Sequence, residues 1–98
     1  MNDNSKVTRL FPLGKLKLGP NLVEILEEAD EYYFDYLMPY AKGDWPEMTP
    51  EQQEKNRLAI KNGGEIYAEY TLSNCARIAI TTTADRSTTT ISLLDSDC

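Results

Sequence analysis

The sequence predicts an α+β domain, with two to three N-terminal helices packed on one face of a small antiparallel β-meander of three to four strands. Two observations carry this expectation. Apolar residues recur at helical spacing through the first two thirds of the chain, and from Glu65 onward they alternate with a period of two. Helices first and strands afterwards, joined by short turns, is the order of an α+β fold and not of alternating β/α units. A chain of 98 residues with 41% apolar content supports one modest core, so residues 1–98 read as a single domain with flexible ends at about 1–6 and 95–98.

The elements follow in order. Lys15-Leu16-Lys17-Leu18 alternates and reads as a short strand, an added edge to the sheet. Gly19-Pro20-Asn21 punctuates it. A helix over about Pro20–Ala29 turns Leu22, Val23, Ile25 and Leu26 inward and its glutamates outward. Asp30 is placed to cap a second helix over about Glu31–Tyr40, which Pro39 should end or kink. Thr49, Pro50 and Gln52 form a capping-box pattern that opens a third helix, with Leu58 and Ile60 facing inward and Gly63-Gly64 closing it. Ile66–Leu72, Ala76–Ile80 and Thr88–Leu94 are strands, separated by turns at Ser73-Asn74 and Ala84–Ser87.

Composition excludes several function classes. The chain has no histidine, so a His-dependent triad or an imidazole zinc site is impossible. Sixteen acids against ten bases give a net charge of -6, and direct nucleic-acid binding through a basic surface is not expected. The charge is unevenly placed. Residues 1–20 carry a net of +3, residues 21–54 a net of -9, and residues 55–98 balance. The two cysteines, Cys75 and Cys98, fit no disulfide framework and read as free thiols of a reducing compartment. The first residues lack the apolar core of a signal peptide, and no apolar run is long enough to span a bilayer, so a cytoplasmic protein without a membrane contact is expected. Gly14-x-x-x-x-Gly19-Pro20 lacks the Lys-Ser/Thr pair of a phosphate loop, the glutamates lie outward and not around a metal, and no cofactor motif is present.

Two groups of residues stand out. The first is the acidic, aromatic middle: Glu24, Glu27, Glu28, Asp30, Glu31, Tyr32, Asp35 and Tyr36. Such a stretch is either a solvated helix face over a core of aromatics or a docking surface for a basic partner, because complementary potentials steer encounter and Tyr adds contact area with a polar tip. The second is an anion or RNA site built from Tyr40, Asp44, Arg86, Ser87 and Thr89, in which the Arg fork and the hydroxyls act as donors. The alternative there is a turn in which Asp85 accepts backbone N–H bonds and Arg86 pairs with a carboxylate.

Gly43-Asp44-Trp45, Asn56, Gly64, Tyr70, Ile80-Thr81 and Ala84-Asp85-Arg86-Ser87-x-Thr89-Thr90-x-x-Leu93-Leu94, together with Arg9-Leu10-Phe11-Pro12-Leu13-Gly14, resemble a family of short uncharacterised proteins of plasmids and integrative elements. The resemblance implies a mobile-element setting and no agreed activity. More weakly, helices followed by a Gly-Asp turn and a small sheet ending in Arg-Ser-x-Thr-Thr resemble the barnase, RelE and colicin-type ribonucleases. That resemblance implies RNA cleavage around Arg86. Pro39-Tyr40 and Thr83 stand where the plasmid relatives often have Arg-His and Glu, which removes a near-neutral acid or base from both places. The expected function is therefore a non-enzymatic accessory protein that binds a host or defence-system protein with a basic surface, as an anti-CRISPR or anti-restriction inhibitor or a DNA mimic. An RNase or toxin-like domain is the alternative.

Overall fold

The computed structural model describes residues 9–95. The elements run β1 (Lys15–Leu18), α1 (Leu22–Glu28), α2 (Phe34–Ala41), α3 (Pro50–Asn62), β2 (Ile66–Thr71), β3 (Arg77–Thr82) and β4 (Thr88–Asp95). The α+β class holds. The strands form one sheet in the order β1-β4-β3-β2. β2, β3 and β4 are the expected antiparallel meander. β1 joins as an edge strand but runs parallel to β4, with Lys15 opposite Thr88 and Leu18 opposite Ile91, so the sheet is mixed. The flexible end expected at 1–6 lies outside the described residues, as do positions 96–98. The backbone of Asp95 still pairs with Arg77, beyond a register shift.

The period-two pattern sets which face is core. Ile66, Ala68 and Tyr70 of β2 register with Thr82, Ile80 and Ile78 of β3, and these with Thr89, Ile91 and Leu93 of β4. Against this face pack Leu22 and Leu26 of α1 and Leu37, Tyr40 and Ala41 of α2, with Phe11, Leu13 and Trp45 closing the cluster. The other face carries the alternate residues, among them exposed Lys15, Lys17 and Arg77 and half-buried Tyr67, Thr81 and Thr90. Arg77 forms an ion pair with Glu69 across the strands.

Helix ends follow local chemistry, with corrections. α1 closes as a Schellman turn: Glu31 N donates to the Leu26 carbonyl and Asp30 N to that of Glu27. Asp30 sits in this turn at φ 58°, where Gly or Asn is usual. It therefore ends α1 and does not cap α2, whose N-cap is Tyr33. Pro39 lies inside α2 without stopping it, since the helix continues to Ala41. The bond lost is the one to the carbonyl of Asp35, and Asp35 is exposed, where water can take that place. α3 begins with both halves of the capping box, Gln52 N to Thr49 Oγ1 at 3.1 Å and Thr49 N to Gln52 Oε1 at 2.9 Å. Its inner stripe is Gln53, Asn56, Ala59 and Ile60. Leu58 is turned away and 49% exposed, contrary to the expected inward position.

Asn56 is the buried polar residue of α3. Its Nδ2 donates to the Tyr67 carbonyl at 2.8 Å, and its Oδ1 accepts from Tyr67 N at 3.2 Å. Four positions on, Thr71 N donates to Glu47 Oε2 at 2.7 Å. α3 and its preceding loop thus cover the outer edge of β2 with side-chain amide and carboxylate groups, one way an edge strand is closed to further pairing. Cys75 is held in a disulfide, which corrects the free-thiol reading there. Cys98 lies outside the described residues. Among the described residues, no helix is long and apolar enough to cross a membrane.

Candidate partner-binding surface

α1 has only seven residues, and with Leu22 and Leu26 buried its remaining faces point to solvent. Glu24, Glu27 and Glu28 are exposed there, and Asp30 and Asp35 are exposed beyond its end. Glu31 is half-buried and fixed in place. One carboxylate oxygen accepts from the Tyr36 hydroxyl and the other from Ser73 N. Burial first, and the Glu31 carboxylate second, push the Tyr36 hydroxyl well above its ordinary range. The Tyr36 ring leans on Tyr70 at 5.7 Å between centroids.

The aromatic run divides by exposure. Tyr40 is fully buried, Tyr33 and Tyr36 are half-buried, while Tyr32 is 53% and Phe34 43% exposed. Tyr32, Tyr33 and Phe34 contact one another, with centroids 4.7, 5.3 and 5.5 Å apart. The Tyr32 hydroxyl is shifted upward, chiefly by its bond with the Tyr33 hydroxyl. Val23, expected inside, is 47% exposed beside this cluster. The helical apolar stripe of Leu22, Val23, Ile25 and Leu26 placed Val23 in the core. A seven-residue helix followed by a tight turn buries a narrower stripe than its pattern offers. Val23, Glu27 and Glu31 line one hollow with Tyr32 and Tyr33, Asp35 lines a second with Phe34, and Glu24 and Glu28 are exposed on α1. Tyr36 serves to fix Glu31.

The second group of residues has a different fate. Tyr40 Oη donates to the Ile66 carbonyl at 3.1 Å and meets Thr82 Oγ1 at 2.7 Å, Thr82 meets Thr89 Oγ1 at 2.8 Å, and Thr89 donates to the Leu13 carbonyl at 2.7 Å. Three hydroxyl protons here satisfy two backbone carbonyls and one link between hydroxyls, and the chain is buried. Burial raises the Tyr40 hydroxyl above its ordinary range, and the group is held inside the core against the Ile66 carbonyl, away from the surface. The network holds α2 to both β2 and the approach to β1. Tyr40→Phe removes its first link, and a loss of about 1–2 kcal/mol is expected, read as a lower urea midpoint at unchanged slope.

Arg86 is occupied. Nη1 donates to the carbonyls of Gly64 at 2.6 Å, Thr83 at 3.1 Å and Ala84 at 3.1 Å, and Nη2 to that of Ala59 at 2.8 Å. The guanidinium also lies over Phe11, 5.8 Å from the ring centroid. Its partners are carbonyls at the end of α3 and in its own turn, not a carboxylate. Asp85 Oδ1 accepts from Ser87 Oγ at 2.7 Å, Ser87 N at 3.0 Å and Thr83 Oγ1 at 2.8 Å. These bonds, those of Ser87 first, lower its carboxyl to about 2. Of the donors expected for an anion, Ser87 already faces one, Asp85, while Arg86 and Thr89 donate to backbone carbonyls. Asp44 is exposed in a turn whose backbone serves the fold: Asp44 N donates to the Pro39 carbonyl at 2.9 Å and the Asp44 carbonyl accepts from Tyr70 Oη at 2.7 Å. The neighbouring Trp45 is buried and donates to the Tyr40 carbonyl at 3.0 Å. The Gly-Asp-Trp and Asp-Arg-Ser pieces are therefore turns built into the fold, and Tyr40, Asp44, Arg86, Ser87 and Thr89 do not line a common open cleft. Compared with known proteins, the chain matches no family model, no curated protein and no solved structure.

Proposed function

We propose that this protein is a non-enzymatic accessory factor of a mobile genetic element that binds a host or defence-system protein through the α1–α2 surface. The observation that carries this reading is the contiguous Tyr32–Tyr33–Phe34 cluster, Tyr32 and Phe34 of it exposed, beside Val23, Glu27, Glu31 and Asp35. Contiguous exposed aromatics with a charged rim are the anatomy of an interaction site, where Tyr anchors and charges select the partner. The sign of the rim fits a partner with a basic surface, such as a nucleic-acid-processing enzyme whose binding groove the acids would occupy. An anti-CRISPR or anti-restriction inhibitor is the concrete form. A ribonuclease role is not pursued, since Arg86, Tyr40 and Thr89 are engaged in the fold. A cytoplasmic encounter belongs to the same proposal, and the disulfide at Cys75 is the observation that stands against it, because such bonds are rare in reducing compartments.

The test is capture of the partner from host extract by the tagged protein, with identification by mass spectrometry, using two surface variants. Tyr32→Ser with Phe34→Ser, and Glu24→Lys with Glu27→Lys and Glu28→Lys, alter exposed side chains only, so their urea midpoints should match the parent within about 0.5 kcal/mol. Both should lose the captured protein, and capture by the parent should weaken as salt rises. Capture that survives both variants overturns the assignment of this surface.

A further inference from the structure

We infer that the hollow between α1 and the turn leading to α2 takes one cationic side chain of the partner, an arginine for preference. This rests on the partner-binding reading and names the chemistry of its contact. The hollow has a volume of about 170 Å3 and is lined by Val23, Leu26, Glu27, Glu31, Tyr32 and Tyr33. That is below the roughly 300–1,000 Å3 of sites for small molecules and cofactors, and it suits a single side-chain head group.

Its walls specify which head group. Leu26 is buried and forms an apolar floor. Tyr32 and Tyr33, with centroids 4.7 Å apart and planes inclined at 45°, supply two aromatic rings to its wall. Glu27 and Glu31 add two carboxylates, and among the described residues neither is paired with a cation. Glu31 is held by the Tyr36 hydroxyl and Ser73 N, so its negative charge is fixed in position before any partner arrives. An apolar side chain entering here would desolvate carboxylates without compensating them. An anion would be repelled, and a second copy of this chain would bring its own acids to the same place. A guanidinium answers every wall at once, because it stacks on aromatic faces and donates to carboxylates in one plane.

The test titrates the isotope-labelled full chain by NMR with an acetylated Gly-Arg-Gly-Arg-Gly amide peptide, and with its counterpart in which citrulline replaces arginine, equal in shape and uncharged. Saturable shifts confined to amides between positions 23 and 33 are expected for the arginine peptide and none for the citrulline peptide. Tyr32→Leu keeps apolar area and removes a π face. It should weaken the arginine peptide about two- to fivefold. Glu27→Gln keeps shape and removes charge, and it should weaken binding while abolishing part of the salt dependence. Equal shifts from the citrulline peptide, shifts spread over every acidic position, or an unchanged affinity in Tyr32→Leu would each overturn the proposal. The two readings separate cleanly. If the arginine peptide fails while the surface variants still lose the captured partner, the pocket assignment falls and the surface stands. If the peptide binds as described while capture survives those variants, the surface reading falls and the pocket stands.

Discussion

Arg86→Ala is expected to lower the stability of this protein by about 3 kcal/mol, or roughly 12–24 °C in Tm for a chain of this length. The guanidinium satisfies carbonyls of Ala59, Gly64, Thr83 and Ala84 and covers Phe11. Truncation leaves these carbonyls, several of them half-buried, without their donor, and it frees the end of α3 from the β3–β4 turn. Bonds to a charged donor contribute more than neutral ones, although four bonds from one group do not add. Arg86→Lys should recover little, because one ammonium cannot span acceptors on both sides of a planar fork. Differential scanning calorimetry of both variants checks this. The ribonuclease alternative makes the opposite forecast, a fully stable Arg86→Ala protein that has lost RNA cleavage, and a single pair of measurements decides between them.

Asn56→Leu is the second large effect. Leucine has the branched shape of asparagine, with bulkier methyl groups, but neither donates nor accepts, so the N–H and carbonyl of Tyr67 lose both partners behind an apolar side chain that keeps water away. Each half-buried backbone group left unpaired costs about 1–3 kcal/mol, and a loss of about 2–4 kcal/mol is expected for the pair. The polar cover of the outer edge of β2 is then reduced to the Glu47 contact at Thr71, so light scattering should show more concentration-dependent association than in the parent. Asn56→Ala, which lets water reach the same groups, should lose less stability than Asn56→Leu. An order reversed between these two variants would show that Asn56 acts by packing and not by its carboxamide.

These residues also mark where sequence reasoning stops. Ile66, Ala68 and Tyr70, Thr49 with Gln52, and Gly63 announce their elements, because alternation, capping and helix ends depend on neighbours within a few positions. β1 was visible as a strand, but its parallel pairing was not, since direction is set by packing on β4. Asp30 looks like a helix start because its side chain suits an N-cap, whereas the backbone uses it at positive φ to end the helix before. Asn56 and Arg86 find their partners 11 and 22 to 27 positions away, at distances no local pattern encodes. The acidic half of the candidate surface was legible as charge. Its apolar part at Val23 was hidden by a periodicity that matched a core.

The parallel pairing of β1 with β4 has a consequence for how the chain comes to its fold. Lys15 meets Thr88, 73 positions later, and Thr89 reaches back to the carbonyl of Leu13. β2, β3 and β4 close through neighbours and short turns, and contacts of low sequence separation form first. On a ribosome the residues of β1 emerge before those of β4 and wait for that partner until it has left the exit tunnel. The β1 edge of the sheet therefore closes only after the meander that carries β4 is available.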